Sequence, residues 1–149
     1  MKKEQRWEMR YVVVSKDGQE IEKVCYPRSE EQKNENLATA KRVGYKVLSC
    51  KKMYPFNMEK NQHNIALIAN ICSNRMHDME MGDIEYDNDE YARLEEMKHK
   101  ADRLFCANLP IAWMTWEDWK DAKEFSELAI NHRMDRCVEA GHADWVQYC

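Results

Sequence analysis

The chain opens on a segment in which apolar and polar positions alternate. Over residues 6–14, Trp7 and Met9 fall on one face of an extended chain, while Arg6 and Arg10 fall on the other. A period of two is typical of a β-strand with one face on a core and one in solvent. The pattern therefore predicts a first strand over 6–14.

A hairpin is predicted directly after this strand. Asp17-Gly18 stands between two strand-like runs, and Asp-Gly in this position favours a tight turn between antiparallel strands. The return strand is expected over about 20–26, because Pro27 follows and interrupts a strand.

A helix and a third strand complete the N-terminal pattern. Ser29 and Gln32 have the spacing of a capping box, and Gly44 is suited to the residue after a helix end. The segment between them predicts a helix with a weakly apolar face. Residues 45–53 then predict a strand that Pro55 closes.

From residue 57 onward, the apolar positions recur with the period of a helix. Three long helices are expected: one capped by Asn57 and ended by Gly82, one opening near Asn88 or Asp89, and one running from Trp116 to about Ala140.

These elements predict an α+β fold. An N-terminal ββαβ unit, with a small antiparallel or mixed sheet and one helix over residues 1–56, is expected to pack against a three-helix region over 57–149 as a single compact domain. A sheet this small needs such packing to be stable.

Cysteine usage and hydropathy indicate the compartment. The six cysteines are widely spaced without a Cys-x-x-Cys pair, and no apolar run follows the basic start of the chain. The longest apolar runs, such as 11–14, are far too short for a membrane span. We therefore expect reduced thiols and a cytoplasmic location, without a membrane contact.

Charge divides unevenly along the chain. Residues 1–63 carry 14 basic and 9 acidic side chains, whereas residues 64–149 carry 9 and 18. Such asymmetry indicates partners rather than fold. The densest acidic run, 78–90, holds seven carboxylates and neither Lys nor Arg. We expect a partner-binding acidic loop, one that could bind a basic protein by imitating nucleic-acid phosphates, formed by Asp83, Glu85, Asp87, Asp89 and Glu90.

The acidic run has two other interpretations. A solvated loop that places carboxylates at a helix N-terminus would explain it without a partner. A calcium loop beginning at Glu85 fits poorly, because its sixth position is Glu90 where the sharp turn needs Gly.

The basic half supports an alternative function. A nucleic-acid face on the predicted sheet would use Arg6, Arg10, Lys51 and Lys52. Interleaved acidic residues such as Glu8 also fit a solvated sheet face.

Three tryptophans at a spacing of three residues form the most unusual local feature. Trp113, Trp116 and Trp119 are candidate aromatic anchors for a partner, since exposed Trp is enriched at binding hot spots. The alternative is that the rings belong to the core.

Motifs for a named chemistry are not found in the sequence. Its four scattered glycines cannot form a phosphate loop, and it has no Gly-x-Ser-x-Gly and no paired Cys or His spacing for zinc. We therefore expect neither an enzyme nor a bound cofactor or metal.

In composition, the chain resembles the small accessory proteins of bacteriophages and mobile elements. It is short, acidic, rich in Met and Trp, and without catalytic motifs. The resemblance implies a bacterial inhibitor or adaptor of a host protein. Anti-CRISPR proteins are one such group, and several of them bind Cas nucleases through acidic surfaces. No residue role carries over from these proteins.

Overall fold

The protein has an α+β architecture. A computed structural model describes residues 4–148, apart from the side chains of Trp145 and Tyr148. The chain forms β1 (Arg6–Val14), β2 (Glu20–Cys25), α1 (Glu30–Val43), β3 (Lys46–Asn57), α2 (Met58–Glu80), α3 (Asn88–Leu104), β4 (Ile111–Thr115), α4 (Trp116–Glu139) and a final 3-10 helix (Ala143–Tyr148).

The sheet is antiparallel and has the strand order β2-β1-β3-β4. The predicted hairpin is confirmed: β1 pairs with β2 from Met9↔Cys25 to Val14↔Glu20. The turn uses Gly18 at φ 83°, a left-handed conformation that glycine adopts without steric cost.

The described part of the chain forms two compact units. The first holds residues 4–55 and 113–117, and the second holds 56–112 and 118–148. Within the described part of the chain, none of the helices combines the length and the apolar character that a membrane span requires.

In the first unit, α1 covers one face of the sheet thinly, as the sequence predicts. Ser29 caps the helix by accepting a hydrogen bond from the Gln32 N–H, at 3.0 Å. Only Ala40 of α1 is buried. Two contacts from α1 to the sheet involve polar groups: Lys33 lies over the Trp7 ring, and Asn36 donates to the Cys25 Sγ at 3.9 Å.

In the second unit, α2 supplies more buried residues than any other helix. Its apolar residues recur at helical spacing and point inward, including Met58 and Ile65, which are fully buried. Asn57 caps this helix as predicted, accepting from the Lys60 N–H at 3.0 Å. Burying one large aliphatic side chain contributes about 1.5–3 kcal/mol, so this helix anchors the unit.

One strand was missed, and the predicted end of another was wrong. The segment 111–115 forms β4, where the sequence predicted no strand. The third strand also continues past Pro55 to Asn57. Its pairing with β1 ends at Arg6↔Met53, so Pro55 lies beyond that ladder and its missing N–H costs no bond to β1.

Candidate functional site

The acidic loop joins α2 to α3 in the second unit. Asp83 and Glu85 lie in the connection between the helices, Asp87 is the residue before α3, and Asp89 and Glu90 lie in its first turn. The five carboxylates therefore share one short segment, but they play different structural parts.

Asp87 is a helix cap. Its Oδ1 accepts hydrogen bonds from the Asp89 N–H at 2.9 Å and from the Glu90 N–H at 3.2 Å. These amides are among those at a helix start that have no partner inside the helix. The side chain stabilises α3 whether or not a partner binds.

Two contacts between α2 and α3 frame the loop. The Arg75 guanidinium on α2 pairs with Glu90 on α3. The Tyr91 hydroxyl on α3 donates to Glu80 on α2, and this hydrogen bond raises the pKa of Tyr91 to about 12. Both ends of the loop are thereby tied to the two helices.

The remaining carboxylates of the loop, Asp83, Glu85 and Asp89, are exposed to solvent. Two large apolar side chains accompany them: Met81 is 65% exposed and Tyr86 is 50% exposed.

An open concavity of about 570 Å³ lies in this segment. Arg75, Tyr86 and the carboxylates of residues 85, 87, 89 and 90 line it. The Tyr86 ring stacks on Tyr91 with the ring centroids 5.3 Å apart. A partner would meet exposed carboxylates beside a ring that is already held in position.

The four cations of the alternative nucleic-acid face do not share one face of the sheet. Directly paired residues in an antiparallel sheet point to the same side. Lys51 pairs with Glu8, so it lies on the side of Arg6 and Arg10. Lys52 pairs with Trp7 and lies on the opposite side, the one that α1 covers.

The two arginines of that face already have partners. Arg10 contacts Glu8 at 3.0 Å and Glu22 at 3.5 Å. Arg6 contacts Glu4 at 3.3 Å, and its guanidinium lies 5.0 Å from the Trp113 ring centroid. Nucleic acid would have to compete with these carboxylates for both arginines.

The three tryptophans have different surroundings. In the first unit, Trp113 is half-buried, and Trp116 is 48% exposed with its ring edge-on to Tyr54 at 5.2 Å. In the second unit, Trp119 is half-buried under the Lys123 ammonium at 5.3 Å. Trp116 is therefore the most exposed of the three candidate anchors.

Over the described range 4–148, no three His, Cys, Asp or Glu side chains come together as a metal site. Cys25, Cys50, Cys72 and Cys106 carry free thiols, while Cys149 lies outside the described residues.

The sequence reasoning missed the residues that frame the acidic loop. Arg75, Glu80 and Tyr91 lie on helices that were predicted, but their contacts across the loop were not. A signal was available, because two helices joined by a short loop form an antiparallel pair. Residues at similar distances from the loop then approach each other.

The comparisons with known proteins add no relative. No protein-family model matches the chain, and neither the curated proteins nor the solved structures contain a match to it.

Proposed function

We propose that this protein is a non-enzymatic inhibitor or adaptor that binds a basic protein partner through the acidic loop. It would act in the bacterial cytoplasm as an accessory protein of the phage or mobile-element type. The partner class is a nucleic-acid-binding host defence protein, such as a CRISPR-Cas nuclease.

The observation that carries the proposal is that some carboxylates of the acidic loop make contacts within the protein while others are free to meet a partner. Asp87 and Glu90 hold the loop, while Asp83, Glu85 and Asp89 face solvent beside Tyr86. Because contacts between α2 and α3 hold both ends of the loop, its exposed carboxylates keep fixed positions when they meet a basic groove. Little conformational entropy is then lost on binding.

The exposed apolar groups also support a protein partner. Tyr and Met are enriched at protein interfaces, where buried aromatic anchors lie inside a polar rim. Met81 and Tyr86 supply these groups within the acidic segment. Carboxylates would repel nucleic acid from the same surface.

Capture from a bacterial lysate tests the proposal. The tagged wild-type chain is compared with the variant Asp83→Lys, Glu85→Lys, Asp89→Lys, and bound proteins are quantified by mass spectrometry. We expect a discrete basic partner that survives nuclease treatment and is lost with the variant. Asp87 is left intact, because its replacement would also remove the cap of α3.

A matched variant controls for net charge. Glu124→Lys, Glu127→Lys, Asp135→Lys makes the same charge change at exposed positions of α4. It should capture the partner as the wild type does. Equal loss with both triple variants would contradict a role for the acidic loop.

The inhibitor role has its own assay. Guide-loaded Cas nucleases from several types are titrated with the protein, and cleavage of a target DNA is followed on gels. We expect the wild type and the α4 variant to slow cleavage by one of them, and the loop variant to lose this effect. Unchanged cleavage throughout would restrict the proposal to an adaptor.

A further inference from the structure

The strand β2 forms an edge of the sheet. The strand order places β1 on one side of it and, among the described residues, no further strand on the other. All of residues 20–24 are exposed. Such an edge is a template for pairing with another chain.

The hydrogen bonds of the hairpin show which backbone groups face outward. Ser15 donates its N–H to the Gln19 carbonyl at 2.8 Å, and Trp7 donates its N–H to the Pro27 carbonyl at 3.0 Å. Both pairs continue the β1–β2 register. Bonded and non-bonded pairs alternate in an antiparallel ladder, so odd-numbered residues of β2 bond to β1. The N–H and C=O groups of Glu20, Glu22 and Val24 therefore point away from the sheet.

The side chains along this edge give an incoming strand a chemical pattern. Glu20, Glu22 and Val24 lie on one face, and Ile21 and Lys23 lie on the other. Val24 is 40% and Ile21 is 43% exposed. Glu22 contacts Arg10 at 3.5 Å, yet 54% of its side chain remains accessible.

A second copy of this chain does not match that pattern. Symmetry-related antiparallel strands pair residues of the same face, so the two registers centred on β2 place either Glu22 opposite Glu22 or Lys23 opposite Lys23. Like charges directly opposite each other are destabilising.

We propose that the β2 edge binds an extended segment of a protein partner by adding a strand to the sheet. The segment runs antiparallel to β2. It presents apolar residues opposite Val24 and Ile21, and an acidic residue opposite Lys23. Basic residues lie opposite Glu22 and Glu20. Backbone hydrogen bonds to Glu22 and Val24 supply affinity, and the cross-strand charges fix the register. This surface is independent of the acidic loop, so either can fail without the other.

The probe is the blocked peptide Thr-Thr-Val-Glu-Lys-Val-Lys-Thr, titrated into the millimolar range with the full chain. The N–H that Val24→Pro removes points outward, so no hydrogen bond to β1 is lost, and peptide binding should weaken about tenfold or more. Val24→Thr keeps that N–H and should bind the peptide like the wild type. The charge-reversed peptide Thr-Thr-Val-Lys-Glu-Val-Glu-Thr should bind more weakly than the probe. Equal binding by the two Val24 variants, or none by the wild type, would overturn the proposal.

Amide hydrogen exchange by NMR tests the wild-type chain without relying on a variant that folds. Saturating peptide should slow exchange at Glu22 and Val24 at least about tenfold and leave Lys23, already bonded to β1, unchanged. Unaltered exchange at Glu22 and Val24 would contradict strand addition. Peptide-independent dimerisation in sedimentation that Val24→Pro abolishes would assign the edge to a second copy instead.

Discussion

Arg75 on α2 and Glu90 on α3 form an ion pair that joins the two helices beside the acidic loop. The hydrogen bond to Glu90 holds the pKa of the Arg75 guanidinium above its usual value. The Glu90 carboxylate, part of the predicted partner surface, is therefore paired within the protein. The same ion pair connects the two helices that flank the acidic loop.

Arg75→Ala should weaken partner binding more than it weakens the fold. The pair is partly exposed, with 51% of the Arg75 side chain and 27% of the Glu90 side chain accessible, and ion pairs that water reaches contribute little to stability. The midpoint of urea unfolding should therefore shift only slightly, while capture of the partner falls because the loop loses a constraint. Arg93→Ala, on the exposed surface of α3, is the control and should change neither.

Asp87→Ala should lower the free energy of unfolding by about 1 kcal/mol, the usual effect of losing a helix cap. Asp87→Asn keeps an acceptor for the two amides and should cost much less, although it removes the same charge. Urea unfolding followed by circular dichroism measures both. Equal destabilisation by Ala and Asn would show that charge, rather than capping, is the contribution of this residue.

The hydrogen bond of Tyr91 should make the stability of the protein depend on pH in the alkaline range. Its pKa is raised in the folded protein to about 12 from an ordinary value of 10, because the neutral hydroxyl donates to Glu80. A raised pKa means that the stabilisation is complete below pH 10 and is lost as the pH rises towards 12. The stability difference between wild type and Tyr91→Phe should therefore shrink across that range.

Ultraviolet titration of the phenolates provides the direct check. Removing Tyr91 should delete the late component near pH 12, whereas Tyr86→Phe should leave that component in place. Loss of an ordinary component near pH 10 from the Tyr91 variant would contradict the hydrogen bond to Glu80.

Cys72 should resist alkylation in the folded protein. The residue is 1% exposed, and burial raises the pKa of its thiol, so little reactive thiolate forms near neutral pH. Iodoacetamide labelling followed by peptide mass spectrometry should find Cys72 modified only in urea. Half-buried Cys106 is the comparison and should react in the native state. Native labelling of Cys72 at the rate of Cys106 would refute its burial.

Local signals predicted most of the elements. Asp17-Gly18 specified the hairpin, and Ser29 and Asn57 marked helix starts that the structure confirms. The strand β4 was missed because it is only five residues long and pairs with a strand far away in sequence.

The acidic loop was visible in the sequence as a run of carboxylates, but the parts played by its members were not. Asp89 and Glu90 are both acidic and adjacent in sequence. Glu90 pairs with Arg75, a residue that is 15 positions away and is brought near by folding, whereas Asp89 is exposed to solvent. The surroundings of the basic residues on the sheet were likewise not predictable from their place in the sequence. Lys51 and Lys52 are neighbours in sequence, and a strand directs them to opposite sides.

The most direct test of the central claim is the affinity of the captured partner for three purified chains, measured by titration calorimetry at several salt concentrations. Reversal of Asp83, Glu85 and Asp89 to Lys should weaken binding at least about tenfold and reduce its salt dependence, while the α4 variant should match the wild type. Equal affinities for all three chains would contradict partner binding through the acidic loop.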